Sequence, residues 1–578
     1  MIYLPPLNKT NATRSVISAF GGLDHRLVIS EGNFFIENNL TSDEFPVLAN
    51  RRKHGTYASL ENDVSDLIVN DTLWYISGKL LYKRDSYGVD KSFDIGLNSG
   101  RHTMVNMGAY IIIAPEMVYI NTAKTSDYGH LANKIVKAAG IDAEIYVTDE
   151  TGAVPKVKET EPSVGDLSAE GNTLVRYDGE AWVPVVSRYF RIAFTGAGDK
   201  FSVGEAVKLE CTTPTSTVQQ VINGLQIIAD VGNDFVAFKY NAEPFFSFIV
   251  NTEITVSRDV PYMNYITVAG NRLWGCFKGI PDSASPPVNE IYASKLGEFK
   301  VFNYFQGTAA DSYAVSVGSD GSFTGAFTYQ DTPMFFKEDA IYQITGSYPA
   351  NYTLQAIEGN GVKVGCGKSL AVIDSTLFFV ARDGVNTFSG GFPTNISQAL
   401  GNGIFSGAVG GAHKRKYYVN MADEDGKRAT YVYDTSNGIW HRQDEGVSVT
   451  DFASMNDELY YAVGKEVKTM FGSGTVDSGK TKWYAETGLI GTDSPDTKYL
   501  SKLTLRMALS VGSTVMISVQ YDSLPEWIPV ANLSGVSLSS FSLPIKLDRC
   551  DHLRLRFDGV GDCRIFSLAK TVEAGGSV

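Results

Sequence analysis

One short phrase recurs along this chain and limits what the chain can fold into. Its clearest copy, Asn70 to Tyr82, reads Asn-Asp-Thr-Leu-Trp-Tyr-Ile-Ser-Gly-Lys-Leu-Leu-Tyr. A polar turn leads into an apolar run, a Ser-Gly turn comes next, and a second apolar run ends on Tyr82, the pattern of two strands joined tightly as a hairpin. The same order of parts returns at Met107 to Ile120, and at Asn271, Leu273 and Trp274 with Ile291 and Tyr292 after a loop. It returns again at Met334 to Phe336 with Ile341 and Tyr342, and at Leu377 to Phe379 with Arg382-Asp383-Gly384-Val385 and Phe388. The last two copies are Tyr417 to Val419 with Tyr431 to Tyr433, and Asn456 to Met470.

Measured between Leu73, Tyr110, Leu273, Met334, Leu377, Tyr417 and Leu459, the separations are 37, 163, 61, 43, 40 and 42 residues. Four of them sit near the length of one four-stranded propeller blade. A hairpin that cannot bury its faces alone is stabilised by stacking on the next copy, and radial stacking leaves only short edges. The long separations then mark insertions. The fold expected is mainly β: a propeller of about seven blades, interrupted by inserted small β-barrel-like domains and followed by a β-sandwich.

In chain order, residues 1–55 form an extended lead-in, 56–123 the first two blades, 124–260 the insertion, 261–478 blades three to seven, and 479–578 the sandwich. The lead-in, with Phe20-Gly21-Gly22 and the basic Arg51-Arg52-Lys53-His54, is either a strap closing its own propeller or an arm reaching a neighbouring subunit. Within the insertion, residues 128–140 carry Leu131, Ile135, Val136 and Ala139 at the spacing of one face of a short helix ending at Gly140. The segment Asp199 to Val256 alternates strands and turns as a small closed barrel would. Pro281 to Val288 is a proline-rich excursion from the third blade, a surface loop where partner contacts tend to sit. After Lys480, strands such as Leu503-Thr-Leu-Arg-Met and Leu553-Arg-Leu-Arg-Phe alternate apolar and polar residues, as one face of a sandwich requires.

Charge and motif content restrict function. A net charge of −14 argues against gripping nucleic acid by its phosphates, though not against a protein that DNA slides past. Five dispersed cysteines without a CxxC pair fit buried thiols in a reducing cytoplasm rather than a disulfide framework or zinc site. Met1 is followed by Ile-Tyr-Leu-Pro-Pro rather than a basic and then an apolar run, and no stretch reaches the roughly 20 apolar residues of a membrane helix, so a soluble product without a membrane-spanning segment is expected.

No catalytic, cofactor-binding or metal-binding residue stands out, and neither an enzyme nor a cofactor is expected. The string Gly361-Val-Lys-Val-Gly-Cys-Gly-Lys-Ser-Leu imitates a phosphate loop, but Val362 occupies a required glycine position and the string leads into a strand instead of a helix. It reads as an inter-blade turn. Asp434-Thr-Ser-Asn-Gly-Ile-Trp440 resembles a sialidase turn, but its acid is misplaced and it occurs once. The seven histidines are scattered, with no ligand spacing among them. Paired carboxylates for glycoside cleavage stay open, because such pairs meet only in the fold.

The order of repeats, insertion and final sandwich resembles the nozzle, or tail tubular protein B, of short-tailed bacteriophages and the related packaged-DNA stabilisation proteins. The phrases that carry the resemblance are Phe20-Gly21-Gly22 with Asn38-Asn39-Leu40, Pro46 and the basic cluster; Gly365-Cys-Gly-Lys-Ser-Leu through Phe378-Phe-Val-Ala-Arg-Asp-Gly-Val to Ile396-Ser-Gln; and Trp483, Glu486 and Thr487. The resemblance implies a structural virion protein, made in the host cytoplasm, that forms a homohexameric ring at the end of the tail. It would sit on adaptor or gatekeeper proteins below the portal, contact tail fibres, retain packaged viral DNA, and let that DNA pass its lumen without sequence-specific binding. Six copies would carry about −84, and acidic walls repel phosphates. The alternative is a carbohydrate-binding or carbohydrate-cleaving propeller, such as a receptor-binding tail protein.

Overall fold

The computed structural model describes residues 12–574 apart from 86, 172, 186–188, 213–221, 241–243, 245, 282–285, 402, 493–497, 536 and 544–548. Residues 282–285 of the Pro281 to Val288 excursion therefore lie outside the described residues. Among those residues the chain is β but for three short 3-10 turns and the helical Ile222, and it builds a seven-bladed propeller.

Each copy of the recurring phrase supplies the second strand of a blade: Thr72–Ser77, Tyr110–Ala114, Arg272–Gly279, Thr332–Phe336, Thr376–Ala381, Lys416–Ala422 and Glu458–Val463. These strands are the most deeply buried of their blades, with Trp74, Ile112, Leu273, Phe335, Phe379, Val419 and Leu459 between neighbouring sheets. The polar turn before each is a tight tip. Gly270-Asn271, Gln330-Asp331 and Asp374-Ser375 all have positive φ at both central residues, the conformation that matches strand twist in a two-residue hairpin. Adjacent tips are tied together: Asn70 Nδ2 donates to Asn106 Oδ1 at 3.1 Å, and the Gly270 amide donates to Asp331 Oδ1 at 3.0 Å.

The propeller is closed by the strand that begins where the lead-in ends. Gly55–Ser59 pairs with Glu466–Thr469 as the outer strand of blade 7, so the start of the repeat region completes its last blade and not its first. Stitching the two ends of the repeat region into one sheet prevents the ring from opening at its seam. The strands before it join the sandwich. Gly22–Leu23 and Asn33–Asn38 lie between the last strand of blade 6, Ile439–Gln443, and the sandwich strand Lys482–Thr487. One ten-stranded sheet thus runs without a break from the propeller into the sandwich. The opposite sheet takes Leu40–Thr41, Leu48–Asn50 and Ala12–Ile17 beside Cys563–Ala574 and Lys498–Leu509. Phe20, Phe34, Leu40 and Leu48 are buried in the same core as Trp483, Leu505, Ile517 and Phe557.

The helix expected over 128–140 is absent. Tyr128–His130 is the fourth strand of blade 2, past residue 123, and Asn133–Lys137 opens the inserted domain by pairing with Ile254–Arg258. The adjacent β-branched Ile135 and Val136 favour an extended backbone, and waiting strand edges on both sides outweigh a marginal helical spacing. The insertion is a closed barrel. Asn133–Lys137 runs on into Ala143–Thr148, and Ser247–Val250 into Ile254–Arg258; these two bent strands pair with each other, and Ala206–Cys211, Gly224–Gly232, Phe235–Lys239 and Tyr189–Ala193 complete the circuit. Its interior is filled by side chains such as Ile145, Phe190, Leu209, Phe238 and Val256. A three-stranded meander, Leu167–Glu170, Thr173–Tyr177 and Trp182–Pro184, interrupts the barrel.

Candidate functional site

The first strands of the blades converge on the propeller axis, and their starts line a funnel of about 510 Å³. Every blade contributes: Asp66, Thr103, Tyr265, Ala326, Leu370, Gly410 and Asp451 come from blades 1 to 7 in turn. The connection from blade 4 to blade 5 turns at Gly367–Ser369 and puts Lys368 on the axis. The string that imitates a phosphate loop is therefore an inter-blade turn that delivers an ammonium group. Gly367 is required there, because a Cβ at that position would collide with the Thr324 carbonyl. Gly367→Ala is expected to lower stability by about 1–3 kcal/mol through this overpacking, read as a shift in the urea midpoint with unchanged slope.

Lys368 reaches across the axis. Its Nζ donates to Asp451 Oδ2 at 3.0 Å, to the Ser65 carbonyl at 3.1 Å, and to Asp66 Oδ1. Asp66 also accepts from the His102 amide at 3.1 Å and faces His102 Nδ1 at 2.9 Å; Asp451 accepts from the Leu67 and Phe452 amides at 2.9 Å. His102 Nε2 lies 3.6 Å from Glu116 Oε1. Blades 1, 2 and 7 and the entry to blade 5 are thus held by one charged network.

Burial works against ionisation of Asp66, but Lys368 and the His102 hydrogen bond outweigh it and hold the carboxyl down at about 2. Burial pushes Asp451 up, opposed by Lys368 and reinforced by the charge of Asp66. For Lys368 and His102, burial favours loss of the proton, yet the facing carboxylates win and raise both. Two carboxylates flanking one cation on a propeller axis are close enough to invite comparison with a glycosidase pair. Here the three ammonium donors of Lys368 are all used within the protein, and each carboxylate is hydrogen-bonded by chain groups. The network fits a lock that fastens the ring better than an acid–base pair awaiting substrate.

The other motifs resolve into structural roles. Asp434 accepts from Ser42 Oγ at 2.5 Å and from the Ser436 amide, while Trp440 donates Nε1 to the Ile396 carbonyl at 3.0 Å. His441, buried, meets Glu37 Oε1 of the lead-in at 2.7 Å. The five cysteines are all buried, and none is in a disulfide. Among the described residues no His, Cys, Asp and Glu group is arranged to hold a metal ion, and no helix is long and apolar enough to cross a membrane.

His54 stands just before the closing strand, its Nδ1 against the Tyr461 hydroxyl and its Nε2 3.5 Å from Asp444 Oδ2. Burial pushes its pKa down to about 4. The folded state therefore resists protonation: this contribution to stability is complete above the ordinary histidine range near 6.5 and is lost as pH falls through about 4. Between pH 7 and pH 4 the loss traceable to His54 is expected to be about 3 kcal/mol, and His54→Gln is expected to flatten that part of the pH profile in urea unfolding.

No known family model matches this sequence, and no curated protein matches it either. Among solved structures the chain is similar to the RRP9 WD40 repeats, at 7% identity over 74% of this chain and 100% of that one, with a TM-score of 0.33. It is similar to BamB from Moraxella catarrhalis, at 9% identity over 71% of this chain and 94% of that one, TM-score 0.31. It is also similar to an exo-beta-1,3-galactanase from Phanerochaete chrysosporium, at 9% identity over 53% of this chain and 94% of that one, TM-score 0.23. Likenesses this distant carry no functional argument, so the reading rests on the molecule itself.

Proposed function

We propose that this β-propeller protein is a structural subunit of a phage tail nozzle: a ring-forming protein that extends the tail channel, retains packaged DNA and lets it pass on ejection. The observation that carries the reading is the unbroken ten-stranded sheet from blade 6 through the lead-in into the sandwich. Domains joined by a linker move relative to one another by default. Here the joint is itself a sheet, reinforced by the buried Glu37–His441 pair and by Arg442 Nε donating to the Glu37 carbonyl at 3.0 Å. A joint of this kind resists hinge motion, which suits a wall that holds DNA under pressure. The phrases that resemble those of the nozzle proteins and the net charge of −14 support the same reading.

The test is placement on particles. Antibody against the chain is expected to label the distal end of phage tails in electron micrographs, and particles assembled without the chain are expected to lose their DNA. Labelling confined to soluble material, with DNA retained in its absence, contradicts the proposal. A second reading, carbohydrate binding or cleavage, would place the glycan in the axial funnel beside Asp66 and Asp451. That reading requires glycan binding by the isolated chain that Asp66→Asn and Asp451→Asn abolish.

A further inference from the structure

Thr514–Tyr521 and Leu553–Val560 are neighbouring antiparallel strands of the sandwich, with Tyr521 opposite Leu553. The residues just past that pair are brought together at one rim of the sheet: Asp522 and Ser523 leave the first strand, and Asp551 and His552 lead into the second. Backbone bonds fix the meeting. The Asp522 amide donates to the His552 carbonyl at 3.0 Å, and Asp522 Oδ1 accepts from the amides of Asp551 at 2.7 Å and His552 at 3.3 Å. On the other side a tight turn closes, the Leu524 amide donating to the Tyr521 carbonyl at 2.9 Å with Asp522 and Ser523 at φ of 49° and 56°. That left-handed backbone is uncommon for serine, and the bonds around it hold it in place.

The side chains fall into the order nucleophile, base, orienting acid. Ser523 Oγ lies 2.7 Å from His552 Nε2, and His552 Nδ1 lies 2.9 Å from Asp551 Oδ2. The acid sets the roles of the two ring nitrogens. An ionised carboxylate only accepts, so in the neutral ring Nδ1 carries the proton towards Asp551, and Nε2 keeps a lone pair for the Ser523 hydroxyl. Ser523 is exposed and the His552 side chain only 18% so, which leaves the hydroxyl open to substrate while most of the ring is packed. The Ser523 amide takes no part in the bonds of the turn, leaving an N–H donor on the nucleophile's own residue for a developing oxyanion. The surroundings select the substrate. Asp522 and Asp551 are exposed beside the hydroxyl and repel anions, while Leu524, next in the chain and 60% exposed, offers apolar surface to a small acyl group.

We infer that Ser523, His552 and Asp551 form a serine-hydrolase centre for small neutral carboxylic esters. Ser523 Oγ adds to the ester carbonyl as His552 Nε2 takes its proton; the tetrahedral intermediate collapses, its C–O bond to the alcohol breaks, and the alcohol leaves with that proton. Water then adds to the acyl-serine, its proton passes through His552 to Oγ, and the carboxylic acid is released. Ser523 and His552 are catalytic residues, and Asp551 is a positioning residue that acts through the ring. None of them belongs to the axial network, and the inference does not depend on the nozzle reading. The full chain treated with an alkyl fluorophosphonate, in which formation of the Oγ–P bond expels fluoride, is expected to gain one adduct, mapped to Ser523 by peptide mass spectrometry, and to hydrolyse p-nitrophenyl acetate. Ser523→Ala is expected to lose both the adduct and the turnover with an unchanged thermal midpoint. His552→Gln is expected to label roughly a hundredfold more slowly, the low end of what a positioned base contributes. Asp551→Asn is expected to slow labelling as well, with recovery in Asp551→Glu. An unlabelled Ser523, labelling of His552→Gln at the wild-type rate, or ester turnover that is absent or survives Ser523→Ala overturns the centre, and Asp551→Asn that labels as fast as wild type overturns the positioning role.

Discussion

Lys368→Met is expected to destabilise the propeller by about 3–5 kcal/mol, because removing one member of a buried charged network leaves the others uncompensated. The size reflects the charges left behind. Asp66 is 1% exposed and would keep only His102 against its charge, while Asp451 would lose its cation and stay beside Asp66. The effect has a pH signature that simple loss of packing lacks. Lys368 holds both carboxyls down, so without the ammonium each is expected to hold its proton more tightly than in the wild type, and acid relieves the repulsion. The gap between wild type and variant is therefore expected to narrow as pH falls from 7 towards 4, and Asp66→Asn with Asp451→Asn in the Lys368→Met background is expected to recover most of the loss. Urea unfolding at several pH values reads both. A gap that stays constant with pH would assign Lys368 to packing alone.

The second large effect concerns the lead-in. A chain beginning at Arg51 keeps the closing strand Gly55–Ser59 but lacks Phe20, Phe34, Leu40 and Leu48. Truncating a buried Phe costs about 3–5 kcal/mol and a buried Leu about 2–5, so the four together come to about 10–20 kcal/mol, comparable with or above the roughly 5–15 kcal/mol that holds a typical domain folded. The sandwich is expected to lose its cooperative transition and to bind an apolar dye, whereas the propeller, still closed by its own strand, is expected to keep one. Adding a peptide of residues 12–50 in trans is expected to restore the sandwich transition. Calorimetry of the two chains checks this, and an unchanged thermogram would mean that the lead-in is an accessory.

These two effects arise from different degrees of legibility. The seven second strands could be read because each carries its own local signal, an apolar run behind a turn rich in Asn, Asp and Gly. The barrel and the sandwich were readable as textures of alternating strands. The axial lock was not, because Lys368 and Asp66 are 302 residues apart and the lysine sits in a string that imitates something else. The destination of the lead-in was hidden for the same reason: Glu37 meets His441 across 404 residues. Long-range pairing of that kind leaves no periodicity in the sequence. The helix expected at 128–140 failed for the opposite reason, since four apolar positions at helical spacing cannot reveal that strand edges await them on either side.

In the proposed nozzle, propeller and sandwich form one stiff unit, copies of which surround DNA. Electron cryomicroscopy of assembled tails distinguishes this from the alternatives. A sixfold ring with a DNA-wide channel between copies is expected, with Lys368 held between Asp66 and Asp451 on the axis of each propeller. A monomer or trimer with sugar bound in that axial funnel would contradict it.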